Sequence, residues 1–592
     1  LTPHIAEFLN NPAFLGADEI VAGEYCRQKI GPGGLFIGDG LQMAQAPYGV
    51  MWHKNEAYGA IRYINIFFEK IGNVYNMEDS EKKLWTAELK ALKAHFYFEL
   101  MRRYGPIILV PENIDPNASL DEMKQPRRPI DEVVNAIVEL CDEAIEDLPY
   151  LKEKPSTRIT YHSKESAATL KAMTLLYAAS PLFNGNKMFA NFLNKNGERL
   201  FPDYDKEKWR KAAEAADEAI KICEAAGKTL VTGNTDRPTK LLNIMKDIED
   251  SALAPDYKNS EAIFYVRNTS GGPCGYILPF FAGEGEGADC YDPHSIGCLG
   301  ASMKMVEMFY TEHGVPISED KQWVVAKYSM GRESDEKYTN VLNLNTEILG
   351  LHRRREPRFY ANIGADRTLW YRMQKSGSEQ KYVAQEICAY QGELYGTKIT
   401  RIDNNTPQNL SGYWIKKYLR SNITFYYYTS RDNTEKGGII FRLPDLYLAS
   451  SEAWNEYLDA PDNRVYDPLN KIRERAGILN VQEAWKNYAR NPDKVNTKLG
   501  MREIIQQEWN IEFAFEGRRF WNLRRWMTAP EELNTPQYGW NVLGSTAETF
   551  YHNYDGPIVV WSKRKFNVPR DYFFPIQSEE VLMSECKQNL GW

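Results

Sequence analysis

No run in this chain is long and apolar enough to cross a membrane as a helix. Basic charge is not in surplus either. Lys and Arg total 72 against 80 Asp and Glu, a net of -8, which argues against a nucleic-acid partner, since that would want a basic face. The eight cysteines, Cys26, Cys141, Cys223, Cys274, Cys290, Cys298, Cys388 and Cys586, form no C-x-x-C pair. Their spacing does not suit a zinc site. Disulfide frameworks belong to small secreted domains, so most of the eight are expected to be free, buried thiols, with Cys141 and Cys223 on apolar helix faces. Sequences of the G-x-S-x-G, H-E-x-x-H and Walker A types are also missing. The chain opens at Leu1 rather than Met, and Leu1–Phe14 does not read as a signal peptide. The expectation is a processed or truncated mature end, with a leader and lipid anchor lost ahead of it.

Aromatics are plentiful: 36 Tyr and 14 Trp bring the aromatic share to 13%. Flat, rigid rings suit a surface that binds ligands, and they also suit a large core. Over 592 residues there is ample chain to bury such a core.

Residues 50–231 read as helical. Leu84, Trp85, Leu89, Leu92, Phe96, Leu100 and Tyr104 recur at steps of about three and four, as a helix face requires, and Gly105-Pro106 ends the run. Val134, Ile137, Cys141, Ala144 and Leu148 give a second stripe ending at Pro149. Ser163 suits an N-cap for a third helix stopping at Pro181. Trp209, Ala213, Ala216, Ile220 and Cys223 give a fourth. Paired helices with small residues at the contacts follow the logic of helical repeats, here degenerate tetratricopeptide-like ones. Residues 232–442 interleave Gly, Pro, Asn and aromatics. They have weak helical periodicity and two candidate strands, Ala262–Arg267 and Thr424–Tyr428. Helices resume at Leu443–Leu458, Pro468–Ala476 and Met501–Trp526. Residues 527–592 read as a C-terminal wrap of strands and turns. The fold class is mostly α, one unit over 1–592, with 50–231 and 443–526 as scaffold and 232–442 as the loop-rich, ligand-facing region.

Several stretches carry a resemblance. Arg442-Leu443-Pro444-Asp445-Leu446-Tyr447-Leu448 with Ser451-Glu452-Ala453-Trp454-Asn455-Glu456, then Asn470–Gly477, Glu512–Trp526, Phe574-Pro575-Ile576 and Gln588-Asn589-Leu590-Gly591 occur in the order seen in the SusD/RagB family. Ala94–Val110, with Tyr104-Gly105-Pro106, resembles the family's upstream motif. Asn522 stands where the family usually has Asp, Trp509 where Arg is usual, and Ser451 replaces an Ala. The first departure is expected to weaken one salt bridge. The resemblance implies a surface lipoprotein of a Bacteroidetes outer membrane, held by an N-terminal lipid anchor. It implies a lid on a SusC-like TonB-dependent transporter that captures an oligosaccharide or polysaccharide and passes it on. Some members take peptides instead. A loose similarity to fructan-locus members points to a fructan such as levan.

An enzyme reading rests on Glu508, Glu512 and Glu516, four apart and close to Arg518, Arg519, Arg524 and Arg525. Glycosidases need two carboxylates facing across a sugar. Neighbours on one helix face lie side by side, so these read as a structural Glu–Arg network, and no catalytic residue is expected. Ligand contacts are sought in the loops instead. The glycine-rich Gly283–Gly300 offers Asp289, Tyr291 and Cys298. The same loop could hold a structural calcium on Glu284, Glu286, Asp289 and Asp292; no other cofactor is expected. Trp85 could form an exposed platform. Asp39, in the glycine-rich Gly31–Gly40, could accept sugar hydroxyls. Arg367, Trp370, Tyr371, Arg372 and Tyr395 combine charge with aromatics beside glycine turns.

Overall fold

The computed structural model describes residues 8–592 apart from 54, 254–258, 268–273, 278–296, 324, 377–378, 398, 407, 420 and 422–436. Helix ends follow local chemistry. A short helix, Glu24–Ile30 (α1), precedes the scaffold helices Ala57–Lys70 (α2), Asp79–Tyr104 (α3), Ile130–Asp147 (α4), Lys164–Ala179 (α5) and Glu207–Ala225 (α6). Gly105 closes α3 at φ +73°, and a side chain there would press on the Phe573 ring at 3.2 Å, so the turn and the packing both favour glycine. Ser163 caps α5, accepting the Ser166 N–H. The second half of α3 is buried on every side, including Phe96, Phe98 and Leu100, because neighbours cover it from two directions. Each helix packs on the next, α3 on α4, α4 on α5 and α5 on α6. This is the layered arrangement that tetratricopeptide-like repeats produce.

The loop-rich middle holds a helix that its composition conceals. Lys240–Ala252 (α7) is capped by Thr239 and buries Leu242, Met245 and Ile248 at helical spacing, but the Gly, Asn and Pro before it mask the pattern. The scaffold resumes with Leu443–Tyr457 (α8), Asn463–Arg475 (α9) and Val481–Tyr488 (α10), and α8 packs against both α6 and α9. Asp462 caps α9 six residues ahead of Pro468, which lies inside the helix. The expected single helix over Met501–Trp526 is two: Lys498–Glu512 (α11) and Arg518–Arg525 (α12). Between them Phe515 and Gly517 take positive φ, so Glu516 sits in a turn rather than on a helix.

Strands are few. Ile20–Ala22 (β1), Leu299–Ala301 (β3), Ile363–Gly364 (β4) and Trp414–Ile415 (β7) make one antiparallel sheet in the order β1-β3-β7-β4. Gly300 is required at its centre, since a Cβ would meet the Asn409 and Ser411 side chains at 2.3 Å. Ala262–Arg267 (β2), the expected strand, pairs with Gly437–Arg442 (β8). Leu369–Ser376 (β5) and Glu379–Glu386 (β6) form a hairpin. Near the end, Gln537–Gly539 (β9) pairs with Ile558–Trp561 (β10). Thr424–Tyr428 lies outside the described residues.

Two large apolar cores result among the described residues. One lies among the helices around Phe98, Tyr177, Trp509 and Trp521. The other lies behind the four-stranded sheet around Leu299, Phe359, Tyr413, Trp414 and Phe515. A buried ionic network sits between them. Glu508 accepts from Arg358 at 2.6 Å and Arg473 at 3.2 Å. Glu512 accepts from Arg442 at 2.6 Å and from Arg475. Glu516 accepts from Arg442 at 2.9 Å and meets Lys417 at 2.6 Å. The Glu–Arg reading therefore stands with different partners. Arg519 and Arg525 pair instead with Asp18 and Glu452, because the turn through Phe515 and Gly517 separates α12 from α11. Asn522 accepts a hydrogen bond from Arg525 at 2.9 Å.

Candidate functional site

Three segments distant in sequence meet at a cavity of about 290 Å³. Gly23 links β1 to α1, which supplies Glu24, Tyr25 and Cys26. The loop after Ile399 supplies Ile402, Asp403, Asn404, Thr406, Gln408 and Leu410. Strand β10 supplies Val560 and Trp561, with Lys563 just beyond. Two aromatic residues thus line the cavity together with carboxylate, amide and hydroxyl side chains. Two other clefts hold only about 30 and 40 Å³, room for little more than water.

The loop is shaped by its own polar residues. Asp403 accepts the Asn405 N–H at 2.8 Å, and this bond holds its carboxyl below the usual carboxylate range. Asn409 accepts from Ser411 at 2.9 Å and donates to the Tyr413 carbonyl at 2.6 Å, closing the loop back onto the sheet. A disulfide between Cys26 and Cys298 ties α1 to the segment entering β3. On the rim Lys563 reaches Glu24 at 3.4 Å.

Behind the cavity stands a buried pair. Asp39 accepts the Trp561 indole N–H at 3.0 Å and also an Arg27 N–H. The Arg27 guanidinium lies 3.9 Å from the Trp561 ring centre and also donates to the Ala22 and Leu35 carbonyls, both at 3.1 Å.

This corrects two expectations. Asp39 is 8% exposed, and its oxygens are taken up by Trp561 and Arg27, so it supports the cavity rather than meeting a sugar. Cys298 is 1% exposed and disulfide-bonded, not a free thiol and not a ligand contact; Cys26 likewise is not free. The hairpin residues fall elsewhere. Trp370, 3% exposed, and Tyr395, 6% exposed, are core residues, stacked on each other at 6.0 Å. Arg367 takes φ +63° and is committed to Glu386 and Glu393 while lying over the Tyr390 ring. Tyr371 is half-buried against Tyr382 at 4.9 Å. Arg372 pairs with Val383 along the hairpin backbone. Trp85 is 37% exposed on α3, with Phe67 at 6.5 Å and the Arg158 guanidinium 5.0 Å from its ring. Asp289 and Tyr291 lie outside the described residues, as do the other acids of the calcium reading. Among the described residues no group of three His, Cys, Asp or Glu is placed to hold a metal ion.

Sequence reasoning missed Tyr25, Trp561 and the arc of Asp403, Asn404, Thr406 and Gln408. The signals were a polar, turn-forming Asp-Asn-Asn-Thr-Pro-Gln run and a short β-branched strand ending in Trp after Gly556-Pro557.

A model of the SusD family matches residues 260–592, more than half of the chain. The chain belongs to the SusD family. A SusD-like protein of Formosa agariphila is 38% identical over 96 residues, a match that spans only 16% of this chain and 16% of that protein. Among solved structures, the one named BT4246 superposes with a TM-score of 0.81 at 22% identity, covering 100% of this chain and 97% of its own. A SusD-like carbohydrate binding protein, BF0978 of Bacteroides fragilis, superposes at 0.63 with 17% identity, covering 98% and 93%. At these identities the likeness is one of fold. Among the described residues of this SusD-family chain no helix is long and apolar enough to cross a membrane.

Proposed function

We propose that this SusD-family protein captures oligosaccharides in the cavity between α1, the 402–410 loop and β10. It then delivers them, uncleaved, to a SusC-like TonB-dependent transporter at the outer membrane, to which a lipid anchor holds it. The observation that carries the binding role is the pairing of Tyr25 and Trp561 with Asp403, Asn404, Thr406 and Gln408 around one cavity. Sugar rings offer C–H faces to aromatic planes and hydroxyls to short polar side chains. Two stacked rings contribute about 0.5–1.5 kcal/mol each beyond area. An affinity of roughly micromolar to millimolar follows, which suits a protein that must release its cargo.

The capture role without cleavage is supported by the state of the acids. Burial pushes the Glu512 carboxyl up, but Arg475, Arg442 and Arg358 together outweigh it and hold it well below the usual range. A carboxylate bound by several guanidiniums has no proton to give a leaving group. The delivery role and the surface location rest on family membership. A fructan is the first sugar to try. Trp85, exposed on the scaffold, and the Gly283–Gly300 loop with Asp289 and Tyr291 are proposed as further contacts, to be tested by single alanine substitutions.

The test is calorimetry of the purified protein against fructans, α- and β-glucans and host-type glycans, with chain-length analysis of each mixture. Binding with unchanged chain length supports capture and names the sugar. Shortened products, or no binding across the panel, would overturn it.

A further inference from the structure

We infer that Asp39 and Arg27 are positioning residues that fix the Trp561 ring as a preset wall of the cavity; this rests on the cavity being the glycan site. Two contacts constrain the ring. The indole N–H is held by Asp39 at 3.0 Å, which sets the ring's orientation in its own plane. The Arg27 guanidinium lies over one face at 3.9 Å, which closes that face. Arg27 is itself pinned by Asp39, Ala22 and Leu35. By contrast the other cation near the ring, Lys563 at 4.9 Å, is largely exposed, so a ligand can displace it.

A ring ordered before binding spares the ligand the entropy of ordering it. Asp39 and Arg27 therefore act on affinity without touching sugar. Neither lines the cavity. The arrangement spans the chain, with Asp39 and Arg27 near its start and Trp561 near its end.

Two readouts test this with full-length protein. First, 5-fluorotryptophan is incorporated and the Trp561 resonance assigned by its loss in Trp561→Phe. Asp39→Asn, which keeps the side-chain shape, should shift and broaden that resonance without ligand. An unchanged resonance overturns the inference whatever binds. Second, affinity is measured for the polysaccharide that wild type binds best. Asp39→Asn should weaken it about fivefold alone, and less than twofold on top of Trp561→Ala. Effects that multiply would show Asp39 acting by another route, and would overturn the inference. If Asp39→Asn fails to fold, Arg27→Lys, which keeps the charge but loses the flat stack, replaces it with the same two expectations. Wild-type affinity in Trp561→Ala would instead remove the cavity as the glycan site, a result that the fluorine spectrum separates from the first.

Discussion

Arg442 and Glu512 meet at 2.6 Å in the interior, at a point where β8 ends and α11 ends. The same guanidinium also holds Glu261 at 2.7 Å and Glu516 at 2.9 Å. One cation thus gathers three carboxylates from the loop-rich region and the scaffold, between the two apolar cores. Removing it leaves those acids short of compensation in the interior, where an unpaired charge is costly. Arg442→Ala should lower stability by about 3–5 kcal/mol, read as a fall in the urea midpoint. Glu512→Gln should cost less, because the amide keeps an acceptor for Arg442. A loss below 1 kcal/mol for Arg442→Ala would mean that the network is not a structural keystone.

Stability should be highest at about pH 4.5. Burial pushes the Glu19 carboxyl up to about 7, against the Phe515 N–H that it accepts at 2.7 Å. The folded form therefore binds this proton more tightly than the unfolded chain. Its contribution is full below about pH 4.5 and is lost as pH rises through 7. Asp366, raised by burial to about 6, acts in the same direction. His352 acts oppositely: burial lowers it to about 3, so its contribution is full above about pH 6.5 and is lost as pH falls toward 3. Melting temperature against pH should be a dome, and Glu19→Gln should flatten its alkaline side, gaining of order 3 kcal/mol above pH 7. An unaltered alkaline side in that variant would sink the assignment.

How much of this was legible in sequence depends on distance along the chain. The ends of α3 and α5 were readable because Gly105, Ser163 and the apolar steps are local signals. Strand β2 was readable from its β-branched and aromatic run. Helix α7 was not, because polar and glycine residues surround its short stripe. The break between α11 and α12 was concealed because Gly517 is one glycine in a run that otherwise reads as helix, while the positive φ of Phe515 and Gly517 and the close packing of Gly517 on Ala13 are set by tertiary structure. The candidate site was barely legible. Asp39 and Cys298 lie beside it, yet each was given an exposed role that its partner removes. For Cys298 that partner is 272 residues away, and for Asp39 the indole lies in the last strand. Short polar residues next to glycines read as solvent-facing unless a long-range partner is known.

The Cys26–Cys298 disulfide should couple stability to binding. It joins the helix that carries Tyr25 to the segment entering the sheet, and Cys26 itself lines the cavity. Cys298→Ser should cost about 2–4 kcal/mol and should weaken glycan binding severalfold even where the protein remains folded. A variant that loses stability but binds like wild type would show that the bridge serves the fold alone.

Trp561 and Tyr25 should dominate affinity. Trp561→Ala removes a large preset ring and should weaken binding tenfold or more, about 1.4 kcal/mol or above, while Tyr25→Ala should cost less, because its smaller ring buries less area. Asn404→Ala should lower affinity modestly and alter preference among sugars that differ at one hydroxyl, since a site that offers a hydrogen bond discriminates against a ligand lacking the partner. Melting curves for Tyr25→Ala and Asn404→Ala should stay close to wild type, because these side chains line a cavity rather than fill a core, whereas Trp561→Ala leaves the buried Asp39 short of one donor and should lower the melting temperature. Calorimetry on the sugar found in the panel decides the order. If Tyr25→Ala and Trp561→Ala both bind as wild type while Trp85→Ala does not, the glycan lies on the scaffold face of α3 and the cavity has another use.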